Sequence, residues 1–568
     1  MKNNRRRLAL LLIVLVCSAS SNWSQTRHDK ASTPAFAPYD NITEDYGPAW
    51  SPDGKQIVYA SQDGFKINEG EKLMAVAVSG GTPKAFFTDN HSYRQAAWSP
   101  DGQRIAFSSN RSGQYQIWTM KANATELLQV TNLSDTDNQQ PAWSPDGKWL
   151  AFVSQPGYRI MIVPTLGGEP KLFSNGQSPD WSPDGKSIAF ASYSPLLNTL
   201  TVAIKQVDGG ATTYLTKSTV TVPIRNFRQA VDWSPDGQRL LCTTLDEGAS
   251  KIVIVNVSAD TVASVVQSDG SLFTPRWSPD GTRIAYAYAD TGQPASIRIT
   301  TLDTKHVAEV TKHKSYQTAR AIRYKSADGL EIPSYLYLPR GAGQEKRPAL
   351  IWLHGDLPGM FGNRFYPHVH YLVDNGFVVL APNYRTSGGY GKSLARLDAS
   401  DKMVADVAAG AEYLKGLPEV DAARIGVIGF SFGGWLALST IAHRPTLFAA
   451  AIDFYGPADM AAWYKETPTF RPIMTLALGG TPEQKADAYR AASPINFVES
   501  IKTPLLILHG TADDWVPYSQ SVELANALKR ANKEHEFITY QNDNHGLNPH
   551  RAEAFEQALR FLSARLRK

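Results

Sequence analysis

The chain has 568 residues, of which 42% are apolar and 19% charged, with 57 basic against 53 acidic side chains. This length exceeds what one hydrophobic core usually organises, and it predicts at least two domains. The near balance of charge argues against nucleic acid or an anionic membrane surface as a partner, and the ordinary composition argues against long disordered stretches.

The first twenty residues have the order of a secretory signal peptide. Basic residues at positions 2 and 5–7 precede an apolar run at 8–16 and then small residues around Ala19. The run is much shorter than the ~20 residues that cross a bilayer, so we interpret residues 1–20 as a signal peptide and 21–41 as an N-terminal segment. An uncleaved anchor and a lipid anchor on Cys17 are the alternatives. The mature protein is expected to be periplasmic or secreted, without a stable membrane span, and with Cys242 alone it has no internal disulfide.

A five-residue repeat, Trp-Ser-Pro-Asp-Gly, fills the first half of the chain. Pro presets φ, the Asp side chain bonds to nearby backbone and Gly accepts positive φ, so the repeat predicts a tight turn with an aromatic anchor. A period of about 45 residues with several strand-like runs is typical of a propeller blade. We predict a β-propeller of six blades over 42–312, with seven as the alternative; six equivalent copies favour a structural role for the aspartates over calcium binding. The copies begin at Trp50, Trp98, Trp143, Trp181, Trp233 and Trp277.

After a linker at 313–320 the pattern changes to strands alternating with helical segments. This predicts an α/β domain over 321–568, with a mainly parallel, doubly wound sheet covered by helices on both faces. Strands are predicted at 333–338, 349–353, 377–380, 425–429, 449–454, 505–508 and 536–540, and helices at 403–415, 434–443, 519–530 and 552–566.

The sequence Gly429-Phe430-Ser431-Phe432-Gly433 joins a predicted strand to a predicted helix. A nucleophilic serine of an α/β-hydrolase stands on such a turn, where the flanking glycines avoid collisions that a Cβ would cause. The bare pattern also occurs by chance, so the strand-turn-helix context carries the prediction that Ser431 is a nucleophile in an α/β-hydrolase domain.

Two later loops supply the base and the carboxylate that a serine nucleophile needs. Asp513 follows the strand at 505–508 and His545 follows the strand at 536–540, and catalytic groups gather at such strand ends. Taken alone, an Asp after a strand is more often a turn former or a helix cap, and a lone loop histidine is no more specific for catalysis; spacing does not separate Asp513 from Asp514. In the order Ser, Asp, His they predict the triad Ser431, Asp513 and His545.

Backbone N–H groups are expected to bind the oxyanion of the tetrahedral intermediate. The N–H of Phe432, directly after the nucleophile, is one candidate, and those of Gly355 and Asp356, after the strand at 349–353, are the others. His354 and His509 also stand at strand ends, and we interpret both as loop-packing residues.

With these residues the chain resembles the prolyl oligopeptidase family of serine peptidases, and within it the acylaminoacyl-peptidase branch. The resemblance rests on the repeated blades, the segments 328–333, 382–385 and 389–391, the serine turn and the segment 509–514. It implies that Asp513 is the triad carboxylate and that the propeller covers the active site and excludes folded proteins. It also implies an aromatic specificity pocket, for which ordinary core packing is the alternative; the residues in that region are Tyr455, Trp463 and Tyr464.

Two positions depart from the family pattern. His354-Gly355-Asp356 stands where relatives often have His-Gly-Gly-Pro, so the resemblance does not determine which residue provides the second oxyanion donor. Trp515 stands two residues after the triad aspartate, where relatives commonly carry a polar side chain that holds the substrate backbone. We therefore expect Trp515 to contact the substrate and peptide binding to differ.

Together these residues predict an exported serine peptidase that cleaves amide bonds of short peptides through an acyl-enzyme, in the manner of acylaminoacyl- or dipeptidyl-peptidases. An esterase that acts on small acyl substrates with the same triad is the alternative. A catalytically inert, propeller-based binding protein is the alternative from another class. The sequence has no metal-ligand cluster and no phosphate-cradling loop, so neither a metal nor another cofactor is expected.

Overall fold

The computed structural model describes residues 42–567 except 65–69, 195–198, 216–230, 267, 342, 344, 357–358, 392–393, 395–400 and 549. The predicted signal peptide at 1–20 and the segment at 21–41 lie outside these residues and stay predictions. Within the described part of the chain, no helix is long and apolar enough to span a membrane. In the same part, no three His, Cys, Asp or Glu side chains are grouped so that they could hold a metal ion.

The described first half of the chain folds into six four-stranded antiparallel sheets. Each sheet takes its strands consecutively from the sequence, so the prediction of a six-bladed propeller is confirmed and the seven-bladed alternative is wrong. Blades 1 to 3 contain β1 Thr43–Trp50, β2 Gln56–Asp63, β3 Lys72–Ala77, β4 Lys84–Ala85, β5 Tyr93–Trp98, β6 Arg104–Ser109, β7 Gln116–Lys121, β8 Leu128–Gln129, β9 Asp137–Trp143, β10 Trp149–Gln155, β11 Arg159–Pro164 and β12 Lys171–Asn175. Blades 4 to 6 contain β13 Gln177–Trp181, β14 Ser187–Ser194, β15 Thr199–Gln206, β16 Thr213–Tyr214, β17 Val231–Trp233, β18 Arg239–Asp246, β19 Ala249–Asn256, β20 Thr261–Val266, β21 Ser271–Trp277, β22 Arg283–Asp290, β23 Gln293–Thr301 and β24 Val307–Glu309.

Each Trp-Ser-Pro-Asp-Gly copy forms the turn between the first and second strands of its blade. In the first copy, Asp53 accepts hydrogen bonds from Ser51 Oγ at 2.6 Å and from the Lys55 N–H at 3.1 Å, and Gly54 has a φ of 69°. The Ser-to-Asp bond recurs in all six copies. Trp50 packs among apolar residues of blade 6. The repeat is therefore a turn with an anchor between blades.

The second half contains an eight-stranded sheet in the order β25-β26-β28-β27-β29-β30-β31-β32. The pairs β25·β26 and β26·β28 are antiparallel and the others are parallel. All seven predicted strands are present, and β25 is an additional edge strand. The strands are β25 Arg320–Lys325, β26 Glu331–Tyr337, β27 Arg347–Leu353, β28 Val378–Pro382, β29 Val420–Phe430, β30 Ala450–Phe454, β31 Leu505–Gly510 and β32 His535–Tyr540.

Helices cover both faces of this sheet, and a separate apolar core lies on each face. The predicted doubly wound α/β-hydrolase architecture is therefore confirmed. The four predicted helices correspond to α2, α3, α7 and α8, and the others are additional. Among the described residues the α-helices are α1 Pro367–Asp374, α2 Asp401–Lys415, α3 Phe432–His443, α4 Met460–Glu466, α5 Arg471–Leu478, α6 Ala486–Ala491, α7 Ser519–Arg530 and α8 Arg551–Leu566.

Hairpin turns of blades 5 and 6 contact the loop between β27 and α1, residues 354–366, which we call the β27–α1 loop. In blade 5, the Gly248 carbonyl accepts the Asn363 N–H at 2.8 Å. In blade 6, the Thr291 N–H donates to Asn363 Oδ1 at 3.1 Å, and the Thr291 carbonyl lies 2.6 Å from Nε2 of His370 on α1. The propeller thus rests on the loop that follows the carboxyl end of β27.

Candidate active site

Ser431 occupies the turn between β29 and α3. Its backbone has φ 54° and ψ −120°, a conformation that costs energy for a residue with a side chain. A Cβ on Gly429 would lie 2.0 Å from the Gly433 carbonyl oxygen, and a Cβ on Gly433 would lie 2.4 Å from the Leu353 carbonyl oxygen. The glycines therefore let backbone pack directly against backbone, and this packing holds Ser431 in its strained conformation at the end of β29.

The three residues predicted as a triad form one chain of hydrogen bonds. Ser431 Oγ lies 2.9 Å from His545 Nε2, and His545 Nδ1 lies 2.7 Å from Asp513 Oδ2. Asp513 follows β31 and His545 follows β32, so all three side chains stand at the carboxyl ends of parallel strands. Asp514, the rival carboxylate, is exposed. The geometry therefore separates two aspartates that the spacing alone leaves equivalent.

The Asp513 carboxylate is buried and surrounded by donors. Its Oδ1 accepts the backbone N–H groups of Trp515 and Val516, each at 2.9 Å. Its Oδ2 contacts His545 and also Nε2 of His509, at 3.1 Å. Burial by itself raises the pKa of this carboxyl, but the hydrogen bonds from the two histidines outweigh that effect and hold the pKa of Asp513 below its ordinary value. A carboxylate held ionised in this way orients an imidazole and stabilises its protonated form.

The two other strand-end histidines have different surroundings. His354 stacks on Tyr384 with 4.4 Å between ring centres, and its Nε2 lies 2.9 Å from Ser387 Oγ. Burial lowers the pKa of His354 to about 4, so it is a neutral packing residue near neutral pH. For His509 the packing interpretation is incomplete, because its ring also contacts the Asp513 carboxylate. The only sequence signal for that contact is the four-residue spacing between the two.

Gly355 lies against the nucleophile turn. A Cβ on Gly355 would be 3.2 Å from Ser431 Cβ and 2.9 Å from the Phe430 carbonyl oxygen. Asp356 has a φ of 66°, so the chain turns directly after Gly355. The N–H of Phe432 is the first of α3 and has no acceptor within the helix. Backbone from two separate loops therefore flanks the serine, which is the arrangement that oxyanion donors require.

Aromatic side chains surround the His545 ring. The Tyr455 ring centre lies 4.6 Å from that of His545, and Trp515 stacks nearly parallel to the imidazole at 5.7 Å and 15°. Trp463 is buried and donates its Nε1–H to the Trp515 carbonyl at 2.9 Å. Trp515 itself is 40% exposed. An accessible indole thus lies beside the imidazole, supported from within the core.

Tyr464 and Arg551 differ in their relation to this aromatic group. Tyr464 lies outside it and packs edge-on against Tyr489, at 5.8 Å between ring centres. Arg551 is absent from the residues predicted for the site; it donates from Nη1 to the Gly546 carbonyl at 2.8 Å and hydrogen-bonds the Tyr455 side chain. It therefore ties the imidazole loop to Tyr455. An arginine at the start of a helix carries no sequence signal for that role.

Comparison with known proteins finds family matches in both halves of the chain. Residues 363–568 match the model of the prolyl oligopeptidase family, and residues 37–217 match that of the TolB beta propeller domain. The peptidase YuxL of Bacillus subtilis is 25% identical over 340 residues, which cover 56% of this chain and 50% of YuxL. Acylamino-acid-releasing enzyme 1 of Oryza sativa is 26% identical over 251 residues, which cover 39% of this chain and 30% of that enzyme. The chain thus spans half or less of the length of these two relatives.

Solved structures match over nearly the whole chain. The acylaminoacyl peptidase of Pyrococcus horikoshii aligns with a TM-score of 0.72 at 19% identity, covering 93% of this chain and 97% of that one. A puromycin hydrolase aligns with a TM-score of 0.69 at 16% identity, covering 93% and 95%. At these identities the likeness shows the fold alone, and the family comes from the domain match. The chain therefore carries, in residues 363–568, a domain of the prolyl oligopeptidase family of serine peptidases.

Proposed function

We propose that the chain hydrolyses amide bonds of short peptides through an acyl-enzyme, with Ser431 as nucleophile, His545 as general base and Asp513 as the orienting carboxylate. The observation that carries this proposal is the unbroken hydrogen-bond chain, 2.9 Å from serine to imidazole and 2.7 Å from imidazole to carboxylate. The match of residues 363–568 to the prolyl oligopeptidase family supports peptides as the substrate class. Relatives named acylamino-acid-releasing enzyme and dipeptidyl aminopeptidase support the release of short fragments from a peptide end.

The proposed reaction begins when Ser431 Oγ attacks the scissile carbonyl carbon and His545 Nε2 takes the hydroxyl proton. For this step Nδ1–H must donate to Asp513, which leaves Nε2 as the acceptor. The N–H of Phe432, together with an N–H from Gly355 or Asp356, binds the oxyanion. His545 then gives its proton to the leaving amine, and a water molecule activated by the same imidazole releases the acyl group.

The propeller is proposed to limit which substrates arrive. Its blade 5 and 6 turns rest on the β27–α1 loop through Asn363, and the same loop brings Gly355 to Ser431. The triad edge of the sheet therefore faces the propeller. A folded protein would have to pass between the two domains, whereas a short extended peptide needs far less room.

The aromatic surface beside His545, of which Trp515 is the exposed member while Tyr455 and Trp463 are buried, is proposed to bind an apolar part of the substrate. Trp515 and Tyr455 lie on the imidazole itself, and Trp463 holds the Trp515 backbone in place. Rings of this size bury large apolar area. Tyr464 contacts a different part of the domain and is left out of this surface.

The test combines active-site labelling with a substrate panel. Wild-type protein, Ser431→Ala and the control Ser439→Ala, a buried serine eight residues further on in α3, are treated with a fluorophosphonate. They are then assayed on N-acetyl amino-acid amides, free dipeptidyl amides and short esters. We expect labelling and amide cleavage by the wild type and Ser439→Ala, and a loss of about 10⁶-fold in kcat for Ser431→Ala.

Two results would contradict the proposal. Folded wild-type protein that reacts with neither the label nor any substrate would make the domain an inert binding module. Ester hydrolysis that depends on Ser431, without measurable amide cleavage, would make the enzyme an esterase.

A further inference from the structure

His509 lies beside the proposed triad, although it is not its nucleophile, its base or its carboxylate. It lies in β31, and its side chain is fully buried. Its Nε2 is 3.1 Å from Asp513 Oδ2, the same oxygen that lies 2.7 Å from His545 Nδ1. The other oxygen, Oδ1, accepts two backbone N–H groups of the following turn. One carboxylate oxygen therefore accepts hydrogen bonds from two imidazole rings. Together with the two bonds to Oδ1, these occupy all the acceptor positions of Asp513.

The hydrogen-bond partners of His509 decide which ring nitrogen carries the proton. Nε2 also lies 2.9 Å from the Val516 carbonyl oxygen. Because this oxygen and the ionised Asp513 are both acceptors, Nε2 must be the donor. Nδ1 lies 2.7 Å from Oγ of Ser521 on α7, and the serine hydroxyl donates to its lone pair. The ring is thus fixed in one tautomer between the triad loop and α7.

The charged and titratable groups around His509 come from several elements. Asp513 faces Nε2 from the loop after β31, and His545 lies beyond that carboxylate. Tyr455, after β30, lies 6.3 Å away between ring centres, and Tyr518, just before α7, lies 5.7 Å away edge-on. Tyrosine phenols are uncharged near neutral pH. Asp513 is therefore the negatively charged group that contacts His509.

We propose that His509 is a positioning residue that divides the Asp513 carboxylate between two rings and thereby sets the pH range in which His545 works as a base. The inference rests on the proposed function of the triad. A donor on Oδ2 draws off part of the negative charge that would otherwise stabilise the His545 imidazolium, so His545 loses its proton more readily. The same bond keeps Oδ2 aimed at His545 while the proton moves to and from Nε2.

Two substitutions separate this role from packing. His509→Leu removes the donor and keeps a buried side chain of similar bulk. His509→Gln keeps a donor, because its amide N–H extends about as far from the backbone as the ring Nε2. For each variant kcat/KM is measured between about pH 5 and pH 9, the range in which histidine titrates, on the best amide of the panel.

In His509→Leu we expect the acid limb of the profile to move to higher pH by about one unit, a tenfold change in proton affinity, because the unshared carboxylate stabilises the imidazolium more strongly. His509→Gln is expected to keep the limb near its wild-type position. Ser521→Ala, which frees Nδ1 of its partner, is expected to move the limb in the same direction by less.

Loss of packing alone lowers the rate at every pH and leaves the acid limb in place. An unmoved limb in His509→Leu, or an equal shift in His509→Leu and His509→Gln, therefore overturns the proposal. Fluorophosphonate labelling of each variant reports that its site is folded. Wild-type protein without Ser431-dependent hydrolysis would overturn the proposed function, whereas active wild-type protein with an unmoved limb in the variants overturns only the role of His509.

Discussion

The contact between the blade 5 turn and the hydrolase domain can be tested at Gly248. This residue has a φ of 80°, and a Cβ on it would lie 2.0 Å from the hydroxyl oxygen of Tyr390. That hydroxyl cannot simply move aside, because it donates to the Phe361 carbonyl at 3.2 Å and accepts from Asn383 Nδ2 at 3.1 Å. Gly248→Ala should therefore push the blade 5 turn away from the β27–α1 loop.

Gly113 provides a matched control. It lies in the equivalent turn of blade 2, between β6 and β7, with a φ of 105°, and no atom lies within 4 Å of the position that a Cβ would take. Alanine at either site bears the strain of positive φ, about 1–2 kcal/mol. Gly248→Ala adds the overlap with Tyr390, which for overpacking costs about 1–3 kcal/mol. The expected losses in unfolding free energy are thus about 2–5 kcal/mol for Gly248→Ala and about 1–2 kcal/mol for Gly113→Ala.

Urea unfolding is monitored by tryptophan fluorescence, and limited proteolysis compares how readily each variant is cut. The third measurement is kcat on a small ester that does not depend on the propeller for access. Gly248→Ala should unfold at lower urea than Gly113→Ala, and protease should cut it sooner between the domains. Its kcat on the ester should fall, because the same loop carries Gly355 beside Ser431. Equal unfolding and equal kcat in the two variants would refute the steric reasoning.

Two further substitutions test the aromatic surface and the propeller interior. Trp515→Ala removes the indole stacked on His545, so we expect kcat/KM on peptides to fall about 3- to 10-fold while small esters change little; equal losses on both would make the indole part of the chemistry. Asp180 accepts the Trp233 N–H at 2.7 Å, and burial together with the charge of Asp232 raises the pKa of Asp180 to about 7. The folded state then keeps a proton that the unfolded chain loses near its ordinary pKa of 3.8, so stability falls as pH rises from about 4 to 7. Asp180→Asn keeps an acceptor without titrating, and its Tm should exceed that of the wild type at about pH 8 but not near pH 4; Tm curves that stay parallel would contradict the shift.

The propeller can be predicted from sequence because its determinants are local. Each Ser-Pro-Asp-Gly turn closes through contacts only two to five residues apart, such as Ser51 to Asp53 and Ser51 to Gln56, and the motif repeats once per blade. The inner strands β26 to β31 of the α/β sheet can also be predicted, because their apolar runs are buried on both faces, whereas the mostly exposed edge strand β25 has no such run. Helices α4 to α6 are not predicted, since they are short and lie in a segment interrupted by Pro468, Pro472, Pro482 and Pro494. Their positions depend on packing against α3 and α7.

The triad candidates can also be found from sequence, because each follows a recognisable strand. What spacing does not give is the direction in which a loop side chain points. Asp513 and Asp514 are neighbours with the same chemistry, and only the turn that gives Asp513 two backbone N–H groups makes it the buried one. The contact of His509 with Asp513 has the same origin, since it depends on how the loop after β31 folds back over the strand end.

Gly510 shows why that loop folds as it does. A Cβ on Gly510 would lie 2.3 Å from the Asp543 carbonyl oxygen, which also accepts the Ala512 N–H at 2.9 Å. The loop that carries Asp513 and the loop that carries His545 therefore touch through their backbones, three residues before one side chain and two before the other. A side chain at position 510 would separate the loops and lengthen the 2.7 Å bond between carboxylate and imidazole. The His-Gly pair at the end of β31 thus has two effects on the Asp513–His545 contact. Gly510 lets the two loops approach each other, and His509 hydrogen-bonds the same Asp513 carboxylate that His545 contacts.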